Sequence, residues 1–355
     1  MKVMTVVGAR PQFVKAAVVC RALLSRPGIE HTLIHTGQHY DASMSGVFFQ
    51  ELGIPEPQLN LAVGSAPHGV QTAEMMRGLE PVMEAAAPDW LLLYGDTNST
   101  LAAALVASKL NIRQAHVESG LRSFRRSMAE EVNRIVADHL ADLLFYPSNV
   151  ALQNLAHEGL QDRAVFSGDV MYDAVLMFRT IAEAKGGPLA EKWKPGQFAL
   201  ATVHRAENTD DEARLTGILE ALEEISETLC PVLLPLHPRT RARVEQLGWK
   251  PRTLTIVEPL SYLEMLLLQG RARMIVTDSG GVQKEAYFMQ VPCITLREET
   301  EWIETLEHGC NQLTGTGRSE ILAAARRMES TGPWGTPFGN GQAAQKIVQT
   351  LCERS

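Results

Sequence analysis

A chain of 355 residues, 45% hydrophobic and 21% charged, has an ordinary globular composition and enough length for two domains with real cores, which excludes a peptide hormone, a disulfide-stapled miniprotein and a disordered or fibrous chain. The formal charge of −8 gives no general reason for binding nucleic acid or an anionic membrane, so a polyanionic ligand would have to be held locally. Five cysteines without a C-x-x-C pair encode neither a disulfide framework nor a zinc ribbon, and a first apolar run that ends at Gly8 is too brief for a signal sequence or a membrane span, which leaves cytoplasmic residence as the default expectation.

Short β-branched runs predict strands over 3–7, 32–35, 90–94, 114–117 and 143–146, with amphipathic helices between them. These strands are apolar nearly throughout, as when both faces of a parallel sheet are covered. The rhythm restarts after about residue 170, with strands over 198–202, 231–236, 254–257, 273–277 and 292–296. The expected fold is α/β, with two doubly wound Rossmann-like domains over 1–168 and 169–339 and a joint near Ser167-Gly168-Asp169. A C-terminal helix at about 340–355 would pack back on the first domain. Ligands of such sheets bind beyond the carboxyl ends of the strands, so the two sheets are expected to face one cleft and function is sought in the loops there.

In chain order, Gly8-Ala9-Arg10-Pro11 follows the first strand. Arg10 and Lys15 would flank the same strand end, a cation pair suited to a diphosphate or a polarised leaving group, unless Lys15 is only solvated. Asp96, after the strand over 90–94, is either a catalytic carboxylate or a helix cap. Glu118, in His116-Val117-Glu118-Ser119-Gly120-Leu121-Arg122, ends a buried strand, where an ionisable group is costly unless partnered and acid/base groups collect. Glu130 and Glu131 open the next helix, where acids also complement the helix dipole, and Asn133 and Arg134 follow. In the second half, His204-Arg205 puts a proton shuttle at a strand end, and His237-Pro238-Arg239 repeats the theme. Ser279, Gly280 and Gly281 could meet an anion at a helix N-terminus, with Glu285 one turn on able to accept from ribose hydroxyls; an unliganded capped turn is the alternative. No G-x-x-x-x-G-K-[ST], H-E-x-x-H or G-x-S-x-G motif occurs.

Taken together, Gly8 to Lys15, Gly37-Gln38-His39, Gly95-Asp96-Thr97, His116 to Arg122, Glu130-Glu131-x-Asn133-Arg134, His204-Arg205-x-Glu207-Asn208 and Thr277 to Glu285 resemble the non-hydrolysing UDP-N-acetylglucosamine 2-epimerases, in that family's order and over nearly the whole chain. The resemblance implies a glycosyltransferase-B type fold, with 169–339 as the UDP-binding domain, and commonly a homodimer. It implies conversion of UDP-N-acetylglucosamine to UDP-N-acetylmannosamine, with no redox cofactor, no metal, and no partner in nucleic acid or membrane. In that chemistry the C2 proton is removed and UDP expelled to leave a glycal, and both are then re-added. Carried over residue by residue, Asp96, Glu118 and Glu130 handle protons around C2, and His204 and Lys15 assist at the sugar and the leaving group. Arg10, Ser279, Gly280, Gly281, Glu285, His237 and Arg134 hold UDP.

Departures bear on the substrate. Ala129 stands where the family has Pro, the loop before Glu130 is shorter and carries Arg125 and Arg126, and Thr300-Glu301-Trp302 replaces Thr-Glu-Arg. These features look like the branch acting on UDP-2,3-diacetamido-2,3-dideoxy-glucuronate. Arg122, Arg125, Arg126 and Arg205 are the candidates for touching the sugar, and a loop arginine could pair a uronate carboxylate bidentately. UDP-N-acetylglucosamine is the first expected substrate and the diacetamido-uronate its competitor. A glycosyltransferase of the same fold and a non-catalytic nucleotide-sugar sensor are the readings from other classes.

Overall fold

The computed structural model describes residues 1–38, 53–328 and 333–354; His39 and the side chain of Arg10 lie outside the described set. The chain divides into two compact units, Met1–Leu176 with Thr336–Ser355, and Met177–Gly335. Each is built on its own parallel sheet.

The first unit carries a seven-stranded sheet in the order β3-β2-β1-β4-β5-β6-β7. Its strands are β1 (Lys2–Val7), β2 (Glu30–His35), β3 (Leu59–Asn60), β4 (Trp90–Tyr94), β5 (Gln114–Val117), β6 (Leu143–Tyr146) and β7 (Ala164–Phe166). Among them run α1 (Arg10–Leu24), α2 (His68–Ala86), α3 (Asn98–Lys109), α4 (Ala129–Leu140) and α5 (Asn149–His157). β4 is buried at every residue, which is why its five apolar side chains do not alternate with polar ones. A core of Met4, Val6, Ile34, Leu91 and Leu93 from the sheet packs against Met75, Leu79 and Met83 of α2 and the alanines of α3.

The second unit has a six-stranded sheet in the order β10-β9-β8-β11-β12-β13. Its strands are β8 (Ala199–Thr202), β9 (Val232–Pro235), β10 (Thr255–Val257), β11 (Met274–Thr277), β12 (Cys293–Thr295) and β13 (Asn311–Leu313). The remaining helices of the chain are α6 (Val170–Lys185), in which the unit changes, then α7 (Ala206–Thr209), α8 (Glu212–Thr228), α9 (Pro238–Gln246), α10 (Tyr262–Arg271), α11 (Gly280–Phe288) and α12 (Arg318–Arg327) of the second unit, and α13 (Ala343–Glu353), which belongs to the first.

In both sheets the strand order reverses beside the first strand laid down, between β1 and β4 and between β8 and β11. Such a reversal opens a crevice past the carboxyl ends of the two strands, the place where open α/β sheets bind ligands. The loops after β1 and β4 in one unit, and after β8 and β11 in the other, therefore border these crevices.

The change of unit falls inside α6, a few residues beyond the predicted joint at Ser167-Gly168-Asp169. The reason is local packing. A Cβ on Gly168, whose φ is +82°, would lie 2.7 Å from the Phe338 carbonyl oxygen, and the Asp169 N–H donates to that same oxygen at 2.9 Å. The returning C-terminal segment thus pins the joint to the first unit. Asp173 then accepts from the Ala343 and Ala344 amides at 3.0 and 2.8 Å, capping α13, which packs against α1.

Candidate active site

In the first unit the loops after β1 and β4 are stitched together by Gln12. Its Oε1 accepts from the Gly8 and Ala9 amides at 2.8 and 3.1 Å, while its Nε2 donates to the Tyr94 carbonyl at 2.8 Å and to Thr100 Oγ1 at 3.0 Å. Gly8 is required by close approach: a Cβ there would sit 2.0 Å from Ser99 Oγ and 2.2 Å from Thr36 Oγ1. The stitch fixes the base of the crevice and sets α1 so that Lys15, one turn in, reaches across to Glu118.

Lys15 Nζ and Glu118 Oε2 form an ion pair in which both side chains are mostly buried. Glu118 has φ +68°, a left-handed conformation that costs a non-glycine residue of order 1 kcal/mol or more and persists only when its surroundings enforce it. Here the Glu118 and Ser119 amides both donate to the Phe145 carbonyl at 3.1 Å, locking the turn at the end of β5. A Cβ on Gly95 would lie 3.3 Å from Glu118 Oε2 and 3.4 Å from Lys15 Nζ, so the backbone that carries Asp96 is a wall of the same small site.

Asp96 is not the cap of α3; Thr97 is, accepting from the Thr100 amide. Asp96 Oδ2 instead accepts from Arg134 Nε at 2.8 Å and Nη2 at 2.5 Å. Arg134 Nη1 donates in turn to Glu131 Oε2 at 3.1 Å. Glu131 also accepts from the Ser123 amide and hydroxyl at 2.8 and 2.9 Å and from the Phe124 amide at 2.8 Å, so one carboxylate pins the loop that follows Arg122. Burial pushes its carboxyl up, but these donors outweigh burial and hold it below the usual carboxylate range. Glu130, its neighbour, is exposed.

Arg122 points into the protein. Its Nε and Nη2 grip Glu158 at 2.7 and 2.8 Å, and Nη1 donates to Asp138 Oδ2 and the Leu121 carbonyl, each at 2.7 Å. That geometry makes it a strut beneath the Glu118 turn, with its guanidinium engaged by Glu158, Asp138 and the Leu121 carbonyl. Arg125 and Arg126 are exposed on the pinned loop beside Phe124, itself 76% exposed at φ +59°.

In the second unit, Asp278 at the end of β11 is fully buried and organises the loop after β8. It accepts from the His204 and Arg205 amides, each at 3.0 Å, and from Asn208 Nδ2 at 3.1 Å. His204 Nδ1 lies 3.3 Å from Asp278 Oδ1, which orients the half-exposed ring with Nε2 directed away from the carboxylate. Arg205 pairs with Glu207 at 3.2 Å, and His237 is the exposed cap of α9, accepting from the Arg239 amide at 3.3 Å.

Ser279 caps α11 through the Val282 amide at 3.4 Å, while the Gly280 and Gly281 amides begin the helix ahead of that bond, as an anion at a helix N-terminus requires. A Cβ on Gly280 would lie 3.4 Å from Trp302 Nε1 and 4.0 Å from Arg297 Nη1. Arg297 grips Glu301 bidentately at 3.0 and 3.1 Å, and Lys284 Nζ sits 3.7 Å over the Trp302 ring. Glu285 is buried one turn in, where burial pushes its carboxyl up to about 6 despite Gln269 donating at 2.8 Å and the Tyr262 hydroxyl alongside.

The structure therefore brings Lys15, Asp96, Glu118 and Arg134 together at the carboxyl edge of the first sheet, and His204, Ser279, Gly280 and Gly281 at that of the second. Sequence reasoning passed over Asp138, Asp278 and the particular role of Glu131. The spacing of Glu131, Arg134 and Asp138, three and seven residues apart on one helix face, was the available signal. Among the described residues no cluster of three His, Cys, Asp or Glu side chains could hold a metal, and no helix is long and apolar enough to cross a membrane.

Residues 21–352 match the family model described as UDP-N-acetylglucosamine 2-epimerase. The chain is 47% identical over 358 residues to the UDP-2,3-diacetamido-2,3-dideoxy-D-glucuronate 2-epimerase of Pseudomonas aeruginosa, covering 99% of this chain and 100% of that one. It is 41% identical over 362 residues to the UDP-N-acetylglucosamine 2-epimerase of Methanocaldococcus jannaschii, covering 99% of each. The crystal structure of the latter enzyme in complex with UDP-GlcNAc and UDP superposes with a TM-score of 0.89, covering 99% of this chain and all of that one. The Neisseria meningitidis enzyme bound to UDP-GlcNAc gives 0.89 at 27% identity, with 99% and 100% covered.

Proposed function

The chain belongs to the UDP-N-acetylglucosamine 2-epimerase family, and from that premise we propose how its residues invert C2 of a UDP-2-acetamido sugar, and on which sugar. The observation that carries the reading is the Lys15–Glu118 pair, an acid/base group held in a strained conformation beside Asp96 at the carboxyl edge of the first sheet.

An enzyme base takes the C2 proton while the C1–O bond breaks, its electron pair leaving on the UDP oxygen and a C1–C2 double bond forming. A proton then returns to the other face of C2 and the UDP oxygen re-forms its bond to C1, so nothing is consumed. Inversion needs acid/base groups on both faces. Glu118, Asp96, Glu130 and His204 are the candidates, with Lys15 neutralising charge that develops on the sugar or the leaving group. Ser279 and the Gly280 and Gly281 amides, with Arg10, would hold the diphosphate; Glu285 would accept from the ribose. Arg134, placed beside Asp96, would act on UDP only through that carboxylate.

As substrate we propose the diacetamido-uronate, with UDP-N-acetylglucosamine second. Two exposed arginines on a loop pinned by Glu131 suit a carboxylate at C5 of the sugar, and the Pseudomonas relative acts by name on that uronate. A homodimer belongs to the same proposal, on the strength of the resemblance.

The test is incubation in D2O with each UDP-sugar, following C2 deuterium and the epimeric product by NMR. Exchange with the uronate at least tenfold faster than with UDP-N-acetylglucosamine is expected. The reverse order overturns the substrate assignment, and exchange with neither overturns the function.

A further inference from the structure

Behind the Lys15–Glu118 pair lies a fully buried polar cluster with no direct part in the chemistry above. Asp138 projects from the inner face of α4 and is 0% exposed, as is His116 on β5. A carboxylate so placed is costly unless every oxygen is bonded, and here it is. Asp138 Oδ2 accepts from the Gly120 amide at 3.0 Å and from Arg122 Nη1 at 2.7 Å, while Oδ1 lies 2.6 Å from His116 Nδ1. Burial pushes its carboxyl up, but His116 and Arg122 outweigh that and hold it below the usual range. The other ring nitrogen, His116 Nε2, donates to the Gly95 carbonyl at 2.7 Å.

Each of these bonds ends next to a reacting group. Gly120 and Arg122 belong to the turn whose strained residue is Glu118, and Gly95 is the residue before Asp96 and packs against both Glu118 and Lys15. One carboxylate thus ties the turn after β5 directly, and the turn after β4 through His116, to the same helix that carries Arg134. A purely structural ion cluster would have no need to terminate on these two loop backbones.

We propose that Asp138 is a positioning residue that, through His116, Gly120 and Arg122, sets the separation of Glu118 and Asp96 for the epimerisation read above, on which the proposal rests. It touches no substrate. A displacement of about 1 Å of a catalytic group can cost on the order of 100-fold in rate, so loosening this tie should appear in turnover and not in UDP affinity.

The experiment compares His116→Asn and Asp138→Ala with the wild-type protein, measuring kcat by C2 deuterium exchange, UDP affinity by calorimetry and folded fraction by circular dichroism. Asparagine can keep a donor toward Asp138 while losing the one to Gly95. His116→Asn is expected to lower kcat about 10- to 100-fold per folded molecule, with UDP affinity within about twofold, and Asp138→Ala to lower it further. Unchanged kcat in folded His116→Asn overturns the proposal even if the melting temperature falls, and so does a loss of UDP affinity that matches the loss of turnover. Should Asp138→Ala fail to fold, His116→Asn decides. A wild-type protein that exchanges no C2 hydrogen removes the functional reading itself and this proposal with it, an outcome distinct from an active wild type with an equally active variant.

Discussion

The carboxyl edges of the two sheets are built in opposite ways. At the first, the buried charged groups behind the strand ends are paired with opposite charges: Lys15 with Glu118, Arg134 with Asp96 and Glu131, and Arg122 with Asp138 and Glu158. At the second, the leading features are helix-start amides at Gly280 and Gly281 and a buried acid, Glu285, whose hydrogen bonds fall short of offsetting its burial. The contrast fits the two tasks proposed for these edges. Groups that move protons need fixed geometry and a set protonation state, which dense pairing provides. Groups that hold a nucleoside diphosphate need vacant donors and an acceptor whose burial is offset only when the ligand arrives.

The sharpest break of that comparison is Glu118→Gln. It keeps size and turn but removes the acid/base group and Lys15's partner, so kcat should fall by about 1,000-fold or more. UDP affinity should stay within a few-fold, because Glu118 is not among the groups proposed to hold the diphosphate. Turnover by deuterium exchange, set beside calorimetric UDP binding, checks both halves; a variant with near-normal kcat would remove Glu118 from the chemistry.

Glu285 offers the converse. Its carboxyl is raised from 4.5 to about 6. A folded pKa above the unfolded one means the protonated form favours the fold: this contribution is fully present below pH 4.5 and is lost as pH rises through about 6. A shift of that size corresponds to about 2 kcal/mol. Glu285→Gln, which mimics the protonated acid and can still accept from Gln269, should therefore be about 2 kcal/mol more stable than wild type at pH 7, the gain vanishing below about pH 4.5. It should also bind UDP about tenfold more weakly, since an ionised acceptor gives the stronger bond to a ribose hydroxyl. Denaturant melts across pH with UDP titrations test both, and a variant no more stable than wild type would place the burial cost elsewhere.

Much of this architecture is legible in the residues, and the exceptions have physical causes. The ten predicted strands all exist, because apolar runs ending at Gly, Asp or His mark buried parallel strands and their loops. The three strands not foreseen, β3, β7 and β13, are edge strands of two or three residues, too short to show a period. In the site, motifs located Asp96, Glu118, His204 and Ser279, since each follows a strand at the sheet's carboxyl edge. Glu130 and Glu131 could not be ranked, because both suit a first helical turn. Helix phase separates them: Glu131 shares the buried face with Arg134 and Asp138, whereas Val132 faces out at 42% exposed, so α4 turns a charged face inward where the ordinary rule would bury the apolar one. The inward bonding of Arg122 was hidden for a related reason: the chain shows an arginine near an acid but not that Glu158 and Asp138 reach back to claim it.

The finest test separates two roles of Ser279, which caps α11 and could also touch the diphosphate. Its cap bond, 3.4 Å to the Val282 amide, is long, so Ser279→Ala should lower stability by only about 0.5 to 1 kcal/mol. A ligand bond is worth about 1 kcal/mol more in binding, roughly a fivefold weaker UDP affinity. Ser279→Gly preserves most of the helix start, because glycine substitutes for a cap at a cost of only a few tenths of a kcal/mol. If Ser279 serves UDP, the glycine variant recovers stability and not affinity. If it is only a cap, both variants bind UDP as the wild type does, and what the α11 N-terminus offers the diphosphate comes down to the two glycine amides and the helix dipole.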